Sequence, residues 1–326
     1  MTGRFFARLA AACSLTAALL AAPVVAEAQQ AYPSRTIRLV VGFPAGGPTD
    51  GPARIIADKL RTSLGQPVVV ENKPGAGGAI AVADVLSQPR DGYSLLLCTY
   101  IDPINTVLLK NVSYKIEDLQ PISQVTKAYY GLAVDKALPV NSVAEFVAYA
   151  KERPGKLNYG HVGVGSAPEL IAREFELLTG IKMTGVPFRG TGPALQEMVA
   201  GRLDFLVGPL VVTMPLVEAK QIKLLAMTSP ERLAIAPDVP TLTEQGVKLV
   251  SYGWLGVCGG SGLPTDVVAL LNRHVREAVA SPEYQALMKQ TGVLGVATGP
   301  EEFGKVIAET AAEARTLATK LGIPTN

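Results

Sequence analysis

Histidine and cysteine are scarce in this sequence, which limits the chemistry open to it. Two of the 326 residues are histidine, His161 and His274, and three are cysteine, at positions 13, 98 and 258. Zinc sites need three or four Cys, His or carboxylate ligands brought together. The spacing of these residues matches no metal motif, so we expect no bound metal.

Nucleotide-binding motifs are also absent. The segment Pro74-Gly75-Ala76-Gly77-Gly78 is rich in glycine, but Ile80 stands where the dinucleotide pattern G-x-G-x-x-G requires its last glycine. No G-x-x-x-x-G-K-[ST] phosphate loop occurs either. We therefore expect no cofactor.

Basic residues are not in excess, since 30 Lys and Arg stand against 28 Asp and Glu, for a formal net charge of +2. Nucleic-acid-binding proteins present a basic face to the phosphate backbone, so nucleic acid is not an expected partner. Beyond residue 25, no apolar run reaches the ~20 residues that a membrane-spanning helix needs.

The N-terminal segment has the composition of a secretory leader. Arg4 and Arg8 precede an apolar, alanine-rich run over residues 9–25, and Ala26-Glu27-Ala28 supplies an A-x-A cleavage pattern. Residues 1–28 are therefore predicted to be a signal peptide. Export places Cys98 and Cys258 where disulfides are permitted. Two buried thiols are the simpler interpretation of this pair, and a disulfide is the alternative.

Short apolar runs alternate with helical patterns from residue 36 onward, which indicates βαβ units and an α/β fold with mainly parallel sheets. The predicted strands cover residues 37–43, 67–72, 93–99, 130–134, 157–161, 184–188, 203–207, 222–226 and 252–258. Helices are predicted after several of them, with Ser142 and Glu145, and Ser166 and Glu169, at capping-box spacing. The two series of units suggest two lobes.

Three predicted strand-to-helix turns are rich in glycine, at residues 42–50, 161–166 and 188–192. Open α/β sheets bind ligands at the carboxyl ends of their strands. Glycine allows a close approach to the backbone, and helix N-termini offer unpaired N–H groups to an anion. Each turn alone is equally consistent with simple tight-turn geometry, but the three together predict an anion site.

One cluster in these turns is a candidate for catalysis: Ser166, His161 and Asp50. Ser166 lies in G-V-G-S-A rather than in the G-x-S-x-G elbow that exposes a hydrolase nucleophile. A helix cap explains the serine more simply. We therefore expect that the chain is not an enzyme, and an exported hydrolase is the lesser alternative.

Six segments across the mature chain give the sequence a specific family resemblance. They are IRLVVGFPAGG at 37–47 with Asp50, VVENKPGAGG at 69–78, DGY at 91–93, RPGKLNY at 153–159, VPFRG at 186–190 and PDVPT at 237–241. With these motifs the chain resembles the tripartite tricarboxylate transporter receptors, also called the Bug family of periplasmic binding proteins.

The resemblance implies a two-lobed clamshell like that of type II periplasmic binding proteins. It closes on a small organic carboxylate, held largely by backbone N–H groups. The first lobe would be discontinuous, residues 32–128 plus 252–326, and the second would be 129–251. The mature chain would act in the periplasm, as a monomer, and deliver its acid to the membrane permease of a tripartite transporter. A receptor that presents the acid to a membrane sensor kinase is the alternative.

The turns and the resemblance together predict the residues that bind the ligand. These are Phe43, Ala45, Gly46, Gly47, Thr49, Asp50, Tyr100, His161, Gly163, Gly165, Ser166, Phe188, Arg189, Gly190 and Thr191. Arg189 offers a bidentate fork to a second carboxylate, or is a solvated loop cation. Tyr100 and Phe188 favour a ligand with an aromatic or extended apolar body, with core packing as the alternative. Residues 99–105 and 161–169 depart from the usual family pattern, so the particular acid is not predicted.

Overall fold

The computed structural model describes residues 32–163 and 165–325, so the predicted signal peptide lies outside the described residues. Arg35–Asn326 form one compact unit, and residues 32–34 belong to a separate one, in which the Tyr32–Pro33 peptide bond is cis. In the described part of the chain, no helix combines the length and apolar character that a membrane span needs.

Strands and helices alternate along the folded unit, as predicted. The strands are β1 (Ile37–Val41), β2 (Val68–Asn72), β3 (Ser94–Thr99), β4 (Leu119–Asp135), β5 (Asn158–His161), β6 (Thr184–Pro187), β7 (Phe205–Pro209), β8 (Ile222–Met227), β9 (Tyr252–Gly260) and β10 (Leu294–Gly295). The helices are α1 (Asp50–Leu64), α2 (Ala79–Leu86), α3 (Ile101–Leu108), α4 (Val143–Lys151), α5 (Ala167–Thr179), α6 (Thr191–Val199), α7 (Leu210–Glu218), α8 (Thr265–Val279), α9 (Pro282–Thr291) and α10 (Pro300–Leu321). Residues 76–78 and 116–118 form short 3₁₀ turns.

The strands form one mixed sheet in the order β2-β1-β3-β9-β4-β7-β5-β6, with β8 and β10 also pairing β4. The outer strands are parallel at both ends: β2, β1 and β3 at one, and β7, β5 and β6 at the other. The central strands β9 and β4 are antiparallel to their neighbours. The α/β prediction is confirmed, with antiparallel strands in the middle of the sheet.

Strand β4 is long enough to serve two groups of strands. Residues 119–129 pair with β9, and residues 130–135 pair with β7 and β8. We call β1–β3, β9, β10 and residues 119–129 the first strand group, and β5–β8 with residues 130–135 the second. The predicted lobe boundaries at residues 128/129 and 251/252 fall beside this change of partner, and they stay a prediction.

Cys98 and Cys258 form a disulfide, so the simpler interpretation of two buried thiols is wrong. The two residues lie on the neighbouring strands β3 and β9, where Leu96 pairs with Cys258 and Cys98 with Gly256. Their Cα atoms are 5.9 Å apart, within the range that a disulfide bridges. Sequence spacing could not reveal this because β9 joins β3 from 160 residues away.

Each strand group has its own apolar core. Phe146, Phe175 and Phe205 stack at the centre of the second, with ring centroids 5.2–6.4 Å apart. In the first, Trp254 packs edge-on against Phe303 of α10 and donates its indole N–H to Thr310. Truncating such aromatic side chains typically lowers the free energy of unfolding by about 3–5 kcal/mol. These rings therefore stabilise the two strand groups that carry the turns.

Candidate ligand-binding site

The three glycine-rich turns follow the carboxyl ends of parallel strands. We call residues 42–49 the first turn, between β1 and α1; residues 162–166 the second, between β5 and α5; and residues 188–190 the third, between β6 and α6. The strands β5 and β6 end side by side, where His161 pairs with Pro187. The second and third turns therefore lie at one edge, and the first at the edge where β1 ends beside β2 and β3.

Asp50 and Asn72 hold the first turn in shape. The Gly46 N–H donates to Asp50 Oδ2 at 3.1 Å, and the Asn72 amide donates to Asp50 Oδ1 at 3.1 Å and to the Phe43 carbonyl at 3.0 Å. The Gly47 N–H donates to the Pro44 carbonyl. Gly46 has a φ of +76°, a left-handed conformation that glycine adopts without steric cost.

Both oxygens of Asp50 are occupied within the protein. Arg54, four residues further along α1, donates to Asp50 Oδ2 at 2.8 Å. The hydrogen bond from Arg54 is the largest influence on the pKa of the Asp50 carboxyl and, with those from Gly46 and Asn72, lowers it to about 2 against the opposing effect of burial. Asp50 is thus a buried carboxylate whose charge is balanced locally.

Thr49 differs from its neighbours because its hydroxyl has no partner. Thr49 is 9% exposed, and its Oγ1 atom is buried and makes no hydrogen bond within the described part of the chain. It precedes α1 but does not cap the helix with its side chain. The N–H groups of Ala45 and Thr49 also donate no hydrogen bond to any described residue. The first turn therefore has uncommitted polar groups, and the Thr49 hydroxyl is the unusual one because buried polar atoms are nearly always hydrogen-bonded.

The second turn closes on itself through Gly163. Ser166 Oγ donates to the Gly163 carbonyl at 2.7 Å, and the Gly163 N–H donates to His161 Nδ1 at 3.3 Å. Ser166 and His161 both bind Gly163, and among the described residues neither hydrogen-bonds the other. This arrangement lacks the serine–histidine bond that activates a hydrolase nucleophile.

The predicted capping box at Ser166 and Glu169 does not form, whereas Ser142 does accept a hydrogen bond from Glu145 N–H. Ser166 is turned back toward the Gly163 carbonyl instead. Glu169 Oε2 accepts the Gly165 N–H at 3.0 Å, and Gly165 has a φ of +78°. The Ser166 hydroxyl therefore stabilises the turn and does not cap the helix.

The third turn presents an exposed arginine. In the described structure the Arg189 side chain makes no ion pair or hydrogen bond. Gly190, with a φ of +132°, is the N-cap of α6 and provides no side-chain cap for the helix. Phe188 is half-buried and packs against the core around Ala194, which favours the core-packing alternative for this ring.

Tyr100 lies where β3 meets α3 and contacts the start of α5. The pKa of its hydroxyl is raised, because the effect of burial exceeds the opposing effect of hydrogen bonds to Tyr130 and to the Ala167 backbone. Close by, a Cβ on Gly165 would lie 3.5 Å from Leu108 of α3. The structure therefore brings Tyr100 to the second turn, while no hydrogen bond within residues 32–163 and 165–325 joins the first turn to the other two.

Asp102 is a residue near the site that the sequence patterns missed. It is 3% exposed, and its Oδ2 accepts the N–H of Thr99 at 2.6 Å. Burial, opposed in part by Thr99, raises the pKa of the Asp102 carboxyl to about 7. A Cβ on Gly78 would lie 3.2 Å from Asp102 Oδ1 and 3.6 Å from the Phe43 ring, so the carboxyl lies behind the first turn.

A cavity of about 540 Å³ lies away from the first and third turns. Its walls are α3, α5, α10 and residues 250–254, and Tyr100 and Ala167 are its links to the predicted site. The turns fit an anion better than this cavity does, because uncommitted backbone donors occur in the turns. Within the described residues, no group of three or more His, Cys, Asp or Glu could hold a metal.

Comparison with known proteins gives one consistent answer. The model of the family described as "Tripartite tricarboxylate transporter family receptor" matches residues 52–323. Protein BugT of Bordetella pertussis is 33% identical over 294 residues, which is 89% of each chain.

Two similar solved structures contain small dicarboxylates. An R. palustris protein with adipate is 32% identical, with a TM-score of 0.76, over 90% of this chain and 99% of that one. MatC from Rhodopseudomonas palustris, with bound malate, is 30% identical, with a TM-score of 0.73, over 88% and 99% of the two chains.

Proposed function

Because the chain belongs to the tripartite tricarboxylate transporter receptor family, a family of periplasmic solute-binding proteins, we propose that it binds a small dicarboxylate between its first turn and the neighbouring second and third turns. Binding, rather than catalysis, is the role of such receptors. Adipate and malate, the ligands of two similar structures, define the size class of the expected acid.

The observation that carries the proposal is the buried, unpartnered hydroxyl of Thr49. A buried hydroxyl without a partner is costly, and a ligand carboxylate oxygen removes that cost by accepting a hydrogen bond from it. The free N–H groups of Ala45 and Thr49 supply further donors in the same turn. Hydrogen bonds to a charged acceptor are about twice as strong as neutral ones.

The second carboxylate would bind at the third turn. The Arg189 and Gly190 N–H groups donate to no described residue, and the guanidinium of Arg189 is free to pair. Arginine binds carboxylates with two parallel hydrogen bonds, which fixes the distance between the two ends of the ligand. Chain length of the acid is thus the expected basis of selectivity.

The two strand groups would move as the two lobes predicted from the sequence, 32–128 plus 252–326 and 129–251. Strand β4 runs across the first boundary, at 128/129, and β9 begins at the second, at 251/252. A ligand that bridges the first and third turns binds the shut arrangement better than the open one, and so shifts the population toward it.

The biological partner would be the permease of a tripartite transporter, reached in the periplasm after removal of residues 1–28. A membrane sensor remains the second candidate partner, since both require the same shut, loaded receptor. Co-purification from membranes with a permease subunit or with a sensor ectodomain distinguishes them.

A thermal-shift screen of the mature chain tests the proposal. The panel holds C4–C8 dicarboxylates, aromatic acids and monocarboxylates, with the matching diamides, sugars and phosphate as controls. A dicarboxylate at ~100 times its dissociation constant should add about 2.7 kcal/mol of stability, a shift of several degrees. Equal responses to an acid and its neutral diamide, or a response to sugars alone, would contradict a carboxylate site.

A further inference from the structure

The first and second turns are held by the same three-residue device. Gly46 donates its N–H to Asp50, four residues on, and Arg54, four residues further, donates to the same carboxylate. Gly165, Glu169 and Arg173 repeat this arrangement, with distances of 3.0 Å and 3.2 Å. We call each set of glycine, acid and arginine a turn clamp.

The two clamps match in backbone conformation although their acids differ in length. Gly46 and Gly165 have φ values of +76° and +78°. Asp50 is the first residue of α1, while Glu169 is the third residue of α5, so the longer side chain of glutamate reaches back across more of the helix. The third turn has no clamp, because Ala194 stands four residues after Gly190.

The two acids are buried beneath the turns and are hardly exposed to solvent. Asp50 is 6% and Glu169 is 3% exposed. The arginine side chains are more exposed, at 55% for Arg54 and 34% for Arg173. Each acid is therefore covered by its turn on one side and by its arginine on the other.

The negative charge of Asp50 and Glu169 is unfavourable for direct contact with a carboxylate ligand. A carboxylate beside an anion site opposes binding by Coulomb repulsion, which water screens poorly around buried groups. The N–H groups of Gly46 and Gly165 are already used by the acids and are unavailable to a ligand. What each clamp supplies is a fixed orientation for the remaining N–H groups of its turn.

We propose that Asp50 and Glu169 are positioning residues, one in each strand group, that set the shape of the ligand turns without contacting the ligand. This inference rests on the proposed function and reassigns Asp50 from ligand contact to support. It adds Glu169, Arg54 and Arg173 to the residues that determine affinity.

The test measures affinity for the best acid of the screen in Asp50→Asn and Glu169→Gln, by titration calorimetry. Each change removes one negative charge and keeps the size of the side chain. Positioning predicts an affinity at least ~10-fold weaker in each, whereas loss of repulsion alone predicts tighter binding. The two mechanisms therefore predict opposite changes in affinity.

Two matched controls remove an acid from an arginine pair that holds no turn. Asp58→Asn leaves Arg61 on the same helix as Asp50, and Glu197→Gln leaves Arg202 beside α6. Both should bind the acid within ~2-fold of wild type. Arg54→Gln and Arg173→Gln give milder versions of the clamp change, with ~2- to 5-fold losses expected, should an acid variant fold poorly.

A spectroscopic readout separates positioning from a general loss of structure. In ¹⁵N-resolved NMR spectra, Asp50→Asn should move the Gly46 amide resonance strongly and leave Gly165 in place, and Glu169→Gln should do the reverse. If wild type binds the ligand and Asp50→Asn and Glu169→Gln bind it equally or more tightly, the proposed positioning role of the clamps is wrong. Failure of wild type to bind any acid would instead overturn the proposed function.

Discussion

At the scale of single residues, the unpartnered hydroxyl of Thr49 gives a sharp prediction. Thr49→Val keeps the shape of the side chain and removes a buried polar group, so the ligand-free protein should keep its melting temperature or gain slightly. Affinity for the acid should fall roughly 10- to 150-fold, because a hydrogen bond to a charged group is worth about 1.5–3 kcal/mol and 1.4 kcal/mol is a factor of about 10. Titration calorimetry and a melting curve measure the two effects.

Ser94→Ala is the matched control for Thr49→Val. Ser94 Oγ is also buried without a partner, but it lies at the start of β3, at the strand end opposite to the site. Its removal should leave affinity unchanged. Equal losses in both variants would show that the missing hydroxyl acts through stability and not through the ligand.

Asp102 should make stability depend on pH in an unusual direction. Its pKa is raised to about 7 in the folded chain, while an unfolded aspartate has a pKa of about 3.9. Between pH 4 and 7 the folded state holds a proton that the unfolded state has released, so this group's contribution to the free energy of unfolding falls as pH rises. Above pH 7 the loss is complete.

Asp102→Asn should remove that dependence, because the asparagine oxygen still accepts from Thr99 and cannot ionise. Urea unfolding at pH 5 and pH 8 compares the two proteins, and their difference cancels other titrating groups. We expect the variant to gain about 2–3 kcal/mol relative to wild type between pH 5 and pH 8. Parallel pH profiles would exclude an ionisable, buried Asp102. Asp50, with its pKa lowered to about 2, contributes only below this range.

The sequence predicted the three turns but not the state of the atoms in them. Glycine content and strand ends marked residues 42–50, 161–166 and 188–192, yet Asp50 and Ser166 are both bonded within their own turns. A signal for this existed: Gly-x₃-acid-x₃-Arg occurs at both Gly46 and Gly165. No sequence signal marked Asp102, because its raised pKa depends on burial by segments that are distant in the sequence.

At the scale of elements, the disulfide between β3 and β9 should contribute substantially to stability. It closes a loop across 160 residues, and a long loop constrains the unfolded chain strongly. Reduction should lower the free energy of unfolding by about 3–5 kcal/mol in denaturant titrations. The Cys98→Ala, Cys258→Ala double variant serves as control, since reductant should not alter its curve. A wild-type curve indifferent to reductant would contradict this role.

Strand β4 shows where periodicity failed. Only residues 130–134 were predicted as a strand, because residues 119–129 include Pro121, Ser123, Gln124 and Thr126. The side chains of Ser123, Gln124 and Thr126 are nevertheless buried. Ser123 Oγ donates to the Thr298 carbonyl, the Gln124 side-chain amide donates to the Thr126 carbonyl, and Thr126 Oγ1 accepts the Leu255 N–H. Thr298 and Leu255, from the C-terminal part of the chain, supply the partners of Ser123 and Thr126, and no local pattern contains that information.

At the scale of the whole molecule, α/β alternation and family motifs predicted the class of the fold correctly. The antiparallel centre of the sheet was not predictable, since it arises when β9 inserts between β3 and β4 from a distant part of the chain. The two strand groups arise because β4 changes partners along its length, from β9 to β7 and β8. The proposed closure of these groups on a dicarboxylate is the property that most needs a direct measurement.

Hydrogen–deuterium exchange of the mature chain, with and without the best acid of the screen, measures that closure. Ligand should slow amide exchange in residues 43–50 and 188–191 together, and the protection should disappear in Thr49→Val at the same ligand concentration. Protection confined to one of these turns, or found only around the cavity between α5 and α10, would contradict capture of one acid by both strand groups.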